Sequence, residues 1–180
     1  MIKSICVFCG SSLGTNKNYE LAATELGLLF SKNQIKLVYG GSSIGLMNAI
    51  AESVIDNNGK TMGIIPRFMM SREIAHMHLT DLIWVETMHE RKFKMMENSD
   101  AFIAMPGGFG TFDELFEVIT WRQLNLHQKP IGILNIDGYY DPLISLINHT
   151  INHGFAKNSI TDFLIIENSP KALLDKILAR

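Results

Sequence analysis

The sequence has little charge for its length. Of its 180 residues only 19% are charged, whereas an average protein has about 25%. The 16 basic and 18 acidic side chains give a net charge of −2, which excludes a generally basic surface for nucleic acid. The shortage of charge leaves two explanations open: an unusually large interior, or a surface that a second copy of the chain covers.

The sequence also lacks a long apolar run and a disulfide framework. No run approaches the roughly 20 apolar residues that a membrane helix needs, and the first ten residues have no signal-peptide pattern. We therefore expect a cytoplasmic protein with no membrane partner and with two free thiols. Cys6 and Cys9 have C-x-x-C spacing, but residues three apart on a strand point to opposite faces, which argues against a redox pair.

Short apolar runs rich in β-branched residues alternate with amphipathic segments along the chain. Such continuous hydrophobicity is typical of parallel strands buried on both faces. The pattern predicts one doubly wound, Rossmann-like α/β domain over residues 1–180, with a mainly parallel sheet of about seven strands and helices on both faces. The predicted strands are Ile5–Phe8, Ile35–Tyr39, Met62–Ile65, Leu82–Val85, Ala101–Met105, Ile131–Ile136 and Phe163–Ile166. The predicted helices are Tyr19–Lys32, Leu46–Asn57, Met88–Asn98, Phe112–Leu126, Tyr140–His153 and Lys171–Leu178.

Three glycine-rich loops each follow a predicted strand and lead into a helix. They are Cys9–Ser12, Gly40–Gly45 and Pro106–Thr111. Ligands of open α/β sheets bind at the carboxyl ends of the strands. Glycine lets the backbone approach a ligand, and free N–H groups at a helix start attract anions. Three such loops at one sheet edge favour a nucleotide-like ligand. The candidate phosphate positions outside the third loop are Gly10, Ser11, Ser12, Gly40 and Gly41.

The sequence excludes one common type of phosphate-binding site, the P-loop, and disfavours a second, the dinucleotide-binding fingerprint. Gly40 and Gly45 have the spacing of a P-loop, but Leu46 and Met47 follow where Lys and Ser or Thr are required. The dinucleotide fingerprint G-x-G-x-x-G is absent after the first strand, and the second strand ends without an acidic residue for a ribose hydroxyl. An ordinary P-loop NTPase is therefore excluded, and an NAD-dependent enzyme is disfavoured.

The densest group of candidate residues is Met105–Glu114. Its pattern predicts a strand, a tight glycine turn and a helix that begins near Thr111. Thr111 and Glu114 have the spacing of a capping box, so in one interpretation Glu114 only caps its own helix. In the other, Gly108–Thr111 bind a phosphate and Glu114 faces the ligand. There a carboxylate can act as general base, bind a ribose or stabilise a cationic transition state.

This segment carries a resemblance to a known family. The motif P-G-G-x-G-T-x-x-E stands at Pro106–Glu114, and a companion Arg-Lys motif stands at Met88–Lys92. On these residues the chain resembles the LONELY GUY (LOG) proteins, which are cytokinin riboside 5′-monophosphate phosphoribohydrolases. Many bacterial members have been labelled lysine decarboxylases. The resemblance extends over nearly the whole chain and includes Gly10–Ser12, Tyr39–Gly41 and Asp137–Tyr140.

The resemblance implies hydrolysis of the N-glycosidic bond of an adenosine 5′-monophosphate, either plain AMP or an N6-substituted form, and the sequence does not reveal which base is preferred. The products would be the free base and ribose 5-phosphate, and the enzyme would be a homodimer with active sites near the interface. We expect neither a cofactor nor a metal. Arg91 and Glu114 would be the catalytic pair. The substrate-binding residues would be Glu73, Arg91, Lys92, Gly108, Phe109, Gly110, Thr111, Phe112, Asp113, Glu114 and Thr120.

The chemistry of the bond supports these roles independently. Breaking a C1′–N bond builds positive charge on the ribose, as in glycoside hydrolysis. A carboxylate near C1′ stabilises that charge and activates or orients water. Arginine is a poor proton donor at neutral pH, so Arg91 is assigned to orienting Glu114 and holding substrate. Without the motif, Arg91 and Lys92 would be interpreted as a solvated helix face.

Other functions are left as alternatives. A non-catalytic nucleotide-binding carrier or regulatory module would use the same phosphate loops without turnover. A decarboxylase is disfavoured, because it normally needs pyridoxal phosphate on an activated lysine and nothing marks Lys92 or Lys94 as one. The predicted helix Phe112–Leu126 is apolar on a second stripe, at Val118, Trp121 and Leu124, which favours an interface between two copies.

Overall fold

A single seven-stranded sheet organises the computed structural model, which describes residues 1–69 and 75–180. All its strand pairings are parallel, and the strand order is β4-β3-β2-β1-β5-β6-β7. The strands are β1 Ser4–Phe8, β2 Lys36–Tyr39, β3 Thr61–Pro66, β4 Asp81–Val85, β5 Ala101–Ala104, β6 Ile131–Leu134 and β7 Leu164–Glu167. The helices are α1 Lys17–Lys32, α2 Gly45–Asp56, α3 Met88–Glu97, α4 Phe109–Gln123, α5 Asp141–Asn152, α6 Ile160–Phe163 and α7 Pro170–Leu178. This architecture confirms the predicted fold class.

Alternate residues of β1 enter two separate cores. Ile5 and Val7 pack with α1, α2 and α7, while Cys6 and Phe8 pack with α3, α4 and α5. Helices therefore cover both faces of the sheet, as the continuous apolar runs predict. Cys6 and Cys9 are free and buried in opposite cores. Burial raises the pKa of both thiols, which fits inert packing rather than redox chemistry.

The strand order reverses between β1 and β5, and the glycine loops meet at this point. From β1 the chain builds the sheet outward to β4, and from β5 it builds outward to β7. The Gly10 N–H donates to the Pro106 carbonyl at 3.0 Å, and the Leu46 N–H donates to the Gly10 carbonyl at 3.0 Å. The first loop is thus hydrogen-bonded to the third loop and to the start of α2, which follows the second loop, at the switch point where doubly wound sheets bind ligands.

The motif helix begins nearly one turn earlier than the sequence predicts. It runs from Phe109 to Gln123, not from Phe112 to Leu126. Gly108 has an extended backbone (φ −93°, ψ −157°) and acts as the N-cap without any side-chain cap. Thr111 therefore lies inside the first turn and is not an N-cap. The interpretation that Glu114 caps its own helix is wrong for the same reason.

Two other segments differ from the expected elements. Strand β6 ends at Leu134 rather than Ile136, because Asp137 has a positive φ of 51° within a short 3₁₀ turn. After β3, the structure has a 3₁₀ turn at Arg67–Met69 and an antiparallel bridge between Ser42 and Ala75 that the sequence patterns did not predict. In the described part of the chain, no helix is long and apolar enough to cross a bilayer.

Candidate active site

A cavity of about 300 Å³ lies where the loops after β1, β2 and β5 converge. Its walls come from the loops and from the first turns of α3 and α4, so it occupies the expected edge of the sheet. The predicted site residues that line it are Gly10, Ser11, Gly40, Arg91, Gly108, Phe109, Gly110, Thr111 and Glu114. The structure therefore brings the two candidate catalytic residues into the same cavity as the motif loop.

The start of α3 is fixed by its own capping interactions. Thr87 is the N-cap, and its hydroxyl accepts a hydrogen bond from the Glu90 N–H at 3.1 Å. The Glu90 carboxylate in turn accepts from the Glu86 N–H at 2.9 Å. This reciprocal pair resembles a capping box. The acidic residue of the Arg-Lys motif therefore holds the helix start that carries Arg91.

Arg91 is buried and locked to the ends of two strands. Its Nε donates to the Ile64 carbonyl and its Nη2 donates to the Gly40 carbonyl, both at 3.0 Å. Its side chain is only 7% exposed. Two of the guanidinium nitrogens donate to backbone carbonyls, and these hydrogen bonds prevent the group from rotating. The third nitrogen, Nη1, therefore keeps one orientation in the cavity.

Gly40 is required for this arrangement. A Cβ added at Gly40 would lie 2.1 Å from Arg91 Nη2 and 2.9 Å from the Met47 sulfur. Any side chain there would push the guanidinium out of reach of the backbone carbonyls. The glycine directly after β2 is thus needed to leave room for the Arg91 side chain.

Glu114 faces Arg91 across the cavity. The Glu114 Oε1 and Arg91 Nη1 atoms are 3.9 Å apart, which is an ion pair but too long for a direct hydrogen bond. Desolvation raises the pKa of Glu114 to about 7, although the Arg91 charge acts to lower it. A carboxyl group that exchanges its proton near neutral pH is suited to acid–base work.

The N-terminus of α4 opens into the same cavity. The first N–H groups of a helix have no partner within the helix, and the helix dipole adds partial positive charge there. A Cβ added at Gly108 or Gly110 would meet no atom within 4 Å, so both positions leave open space beside the backbone. This end of the helix can accept a phosphate, with Glu114 one turn further along the same helix.

Several predicted site residues lie away from this cavity. Lys92 Nζ is 3.0 Å from both Asp113 Oδ2 and Glu117 Oε1. Burial acts to lower the pKa of Lys92, but its hydrogen bonds to Glu117 and Asp113 outweigh this and raise the pKa. Lys92 and Asp113 are thus paired with each other outside the cavity walls.

The remaining predicted residues have separate positions. Phe112 packs between Phe109 and Tyr140, with ring centroids 6.4 and 6.3 Å away. Thr120 lies on the exposed side of α4, in a groove that faces α5. Ser12 lines a neighbouring cavity, and Gly41 (φ +75°) packs against β3. Glu73 lies outside the described residues.

Three methionines also line the cavity: Met69, which the sequence offers as a wall of an apolar base pocket, and Met47 and Met88, which no motif marks. Their flexible side chains give the cavity an apolar, adaptable rim next to Phe109, which is 90% exposed. Methionine is common in ordinary cores, so only the positions of Met47 and Met88 in the first turns of α2 and α3 could have marked these two residues. No group of three or more metal-ligating side chains occurs within residues 1–69 and 75–180.

Comparison with known proteins places this geometry in a family. A family model described as "Possible lysine decarboxylase" matches residues 47–177. The chain is 46% identical over 175 residues to cytokinin riboside 5′-monophosphate phosphoribohydrolase LOG1 of Arabidopsis thaliana, covering 97% of this chain and 82% of that protein. The chain belongs to the LOG family. It is also 45% identical over 177 residues to LOG5 of the same plant, covering 98% of this chain and 78% of that protein.

Solved structures share the fold of this LOG-family chain at low sequence identity. The protein TM1055 has a TM-score of 0.77 at 19% identity, covering 99% of both chains. A molybdenum cofactor binding protein from Rippkaea orientalis has a TM-score of 0.75 at 21% identity, covering 99% of this chain and 97% of that one. These likenesses confirm the Rossmann-like architecture. The raised pKa of Lys92 is the reverse of what a Schiff-base lysine needs, so this residue gives no support to the decarboxylase description.

Proposed function

We propose that this LOG-family chain hydrolyses the N-glycosidic bond of N6-substituted adenosine 5′-monophosphates and releases the free base and ribose 5-phosphate. One observation carries the proposal: the buried pair Arg91–Glu114 shares a cavity with the open N-terminus of α4. The activity for which relatives about 45% identical over nearly the whole chain are named supports it.

The first function of the site is to hold the 5′-phosphate. The N–H groups at the start of α4 bind the anion, and the helix dipole favours its charge. The phosphate end of the substrate is thereby anchored one turn before Glu114. Binding energy from this remote group holds the ribose close to the carboxylate, which lowers the entropy cost of the reaction.

The second function is to stabilise and complete the cleavage. As the C1′–N bond lengthens, the ribose gains oxocarbenium character, and the ionised Glu114 stabilises that charge. Glu114 accepts a proton from water while the water oxygen bonds to C1′. The C1′–N bond breaks with its electron pair on the base, and the proton held by Glu114 neutralises the departing base.

Arg91 acts by position and charge. Its guanidinium is fixed to the Ile64 and Gly40 carbonyls, so its charge faces Glu114 at a constant distance. That charge keeps a fraction of Glu114 ionised at neutral pH in spite of burial. Arg91 therefore holds the base in its reactive form and presents Nη1 to the substrate.

Direct product analysis tests the proposal. The purified chain is incubated separately with AMP and with N6-isopentenyl-AMP, and ribose 5-phosphate is assayed against time. We expect ribose 5-phosphate and free base in equal amounts, and faster release from the prenylated nucleotide because the methionine rim and Phe109 offer it apolar contacts. Tight binding of both nucleotides with no product would overturn the hydrolase and support a carrier.

We also propose that the enzyme is a homodimer in the cytoplasm. Phe116, Leu146 and Phe155 are exposed together along a groove of about 260 Å³ between α4 and the end of α5. A soluble monomer rarely leaves such a cluster uncovered. Thr120 lines the same groove, so a second copy docked there would contact a predicted substrate-binding residue. The free thiols of Cys6 and Cys9 fit a reducing compartment.

A further inference from the structure

The motif loop is held by three consecutive carbonyl groups. The Met105 carbonyl accepts a hydrogen bond from the Tyr140 hydroxyl at 2.6 Å. The Pro106 carbonyl accepts from the Gly10 N–H at 3.0 Å. The Gly107 carbonyl accepts a hydrogen bond from the Tyr139 hydroxyl. Every carbonyl oxygen between the end of β5 and Gly108 is therefore fixed from outside the loop.

The third of these peptide groups is the one with the most freedom. It joins Gly107 to Gly108, and neither residue has a Cβ to restrict rotation of the peptide plane. By contrast, the Met105–Pro106 peptide group ends at the fixed φ of Pro106, and the Gly108–Phe109 group is part of the helix start. The Tyr139 hydroxyl is thus the contact that fixes the Gly107–Gly108 plane.

This peptide group lies between two cavities. Gly107 and Tyr139 line a second cavity of about 210 Å³, on the side of Tyr19 and Ser12. Gly108 lines that cavity and also the cavity that holds Arg91 and Glu114. The structure has no cis peptide bond in its described part, so the Gly108 N–H lies opposite the Gly107 carbonyl and points away from Tyr139.

We propose that Tyr139 is a positioning residue for phosphate recognition: its hydroxyl holds the Gly107 carbonyl so that the Gly108 N–H faces the anion site. This inference rests on the proposed function. If the peptide plane turned over, a carbonyl oxygen would replace a donor beside the phosphate and repel it. Tyr139 acts through the backbone and does not touch the substrate.

Tyr139 itself is held firmly enough for this role. Its ring meets the rings of Tyr19 and Tyr140 edge-on, with centroids 5.6 and 5.0 Å away. The turn before it has positive φ angles at Asp137 and Gly138. The Asp137 carboxylate accepts hydrogen bonds at 2.7 Å from the side chains of Asn16 and Asn18, which lowers its pKa. The tyrosine is therefore attached to the start of α1 as well as to the motif loop.

The variant Tyr139→Phe tests the inference because it removes only the hydroxyl. Loss of one orienting hydrogen bond should raise KM for AMP about 3- to 10-fold and leave kcat within about twofold. The KM of unphosphorylated adenosine, if it is turned over, should not change. Tyr19→Phe is the matched control, since it removes a hydroxyl from the same cavity without affecting Gly107. A thermal melt of each variant checks that the fold is intact.

A binding measurement gives a readout that does not depend on turnover. The chain is labelled with ¹⁵N-glycine, the Gly108 amide signal is assigned with a Gly108→Ala variant, and inorganic phosphate and ribose 5-phosphate are titrated. The parent Gly108 amide should shift on titration, and the same shift should need about 3- to 10-fold more ligand in Tyr139→Phe.

The outcomes separate the inference from the function on which it rests. Equal phosphate affinity of the parent and Tyr139→Phe, with equal KM values, would overturn the role of Tyr139 and leave the hydrolase reaction standing. A fall in kcat and melting temperature with KM unchanged would also overturn it, because that pattern indicates a merely structural role. A parent chain that neither binds phosphate nor releases ribose 5-phosphate would overturn both.

Discussion

The Glu114 side chain is 12% exposed and forms an ion pair with the guanidinium of Arg91. Its replacement by glutamine keeps the shape but removes both the charge and the proton acceptor. We predict that Glu114→Gln lowers kcat at least about 100-fold, as removal of an acid–base group does, while ribose 5-phosphate still binds. Glu117→Gln, one turn further along α4 and paired with Lys92, is the control and should retain turnover. Near-normal turnover of Glu114→Gln would mean that the reaction proceeds without this carboxylate.

The pKa of Glu114 also sets the pH dependence of activity. Burial raises this pKa to about 7, and the proposed mechanism uses the ionised form. We predict that kcat/KM falls about tenfold per pH unit below pH 7 and levels off above it. A rate profile measured from pH 5 to pH 9 checks this. A profile that is flat across pH 6 to pH 8 would contradict the assignment of Glu114 as base.

Because its pKa is raised, Glu114 lowers the free energy of unfolding at neutral pH relative to acidic pH. Its pKa rises from 4.5 in the unfolded chain to about 7 in the folded protein, so the folded state binds more protons between these values. The free energy of unfolding therefore falls as pH rises from about 4.5 to 7 on account of this residue. We predict that Glu114→Gln is more stable than the parent at pH 8, by up to about 3 kcal/mol, and no more stable at pH 4.5. Urea unfolding at the two pH values measures both differences, and a variant less stable at pH 8 would contradict the prediction.

At the scale of elements, the adjacent motif glycines Gly107 and Gly108 have different structural roles. A Cβ added at Gly107 would lie 2.1 Å from Thr111 Oγ1 and 2.9 Å from the Gly10 nitrogen, which is backbone and cannot move aside. A Cβ at Gly108 would meet no atom within 4 Å. We predict that Gly107→Ala lowers the free energy of unfolding by about 1 to 3 kcal/mol, whereas Gly108→Ala changes it by less than about 0.5 kcal/mol. Gly108→Ala should instead raise KM, because its methyl group projects into open space beside the phosphate site. Equal stability losses in urea unfolding would show that the two glycines are equivalent.

The elements also show how far the sequence could predict this molecule. Apolar runs and glycine loops were enough to predict seven strands, helices on both faces of the sheet and the edge at which the glycine loops meet. The start of α4 was missed because the Thr111–Glu114 spacing resembles a capping box, while Gly108 caps the helix with its backbone alone. A comparable side-chain cap occurs instead on α3, at Thr87 and Glu90.

The side-chain orientations in the candidate site could not be predicted from the sequence, because they depend on contacts between residues distant in the chain. The fixed orientation of Arg91 depends on carbonyls at Ile64 and Gly40, which are distant in sequence and have no side-chain signal. The pairing of Lys92 with Asp113 and Glu117 depends on how α3 packs beside α4. Motif spacing names these residues, but only the packing of two helices shows which of them face the cavity.

At the scale of the whole molecule, we relate the shortage of charge to one exposed apolar surface. The stripe on α4 that suggested an interface is only partly exposed, because Val118 is buried in the chain's own core. On this side of the molecule the exposed apolar residues include Phe116 on α4 and Leu124 directly after it, together with Leu146 and Phe155, which is 89% exposed. The interface prediction therefore moves to the groove between α4 and α5.

A charge placed in that groove should separate the two copies. We predict that Phe155→Asp converts a dimer into a monomer in sedimentation equilibrium, since an unpaired carboxylate would be buried at the contact. Leu21→Asp is the control, because Leu21 is 65% exposed on α1, on the other face of the sheet, and should leave the dimer intact. A parent chain that sediments as a monomer would rule out the dimer.

The position of β1 in the middle of the sheet has a consequence for synthesis on the ribosome. Its neighbour β2 follows within about 30 residues, but its other neighbour, β5, spans Ala101–Ala104. Until that segment has emerged, β1 is an open edge, and the apolar side chains of Cys6 and Phe8 lack the helices that later cover them. At this stage of synthesis the domain cannot complete its sheet, and unpaired strand edges with exposed apolar side chains favour aggregation. Translation speed and chaperone access over the first hundred codons should therefore affect the yield of active protein more than events near the C-terminus.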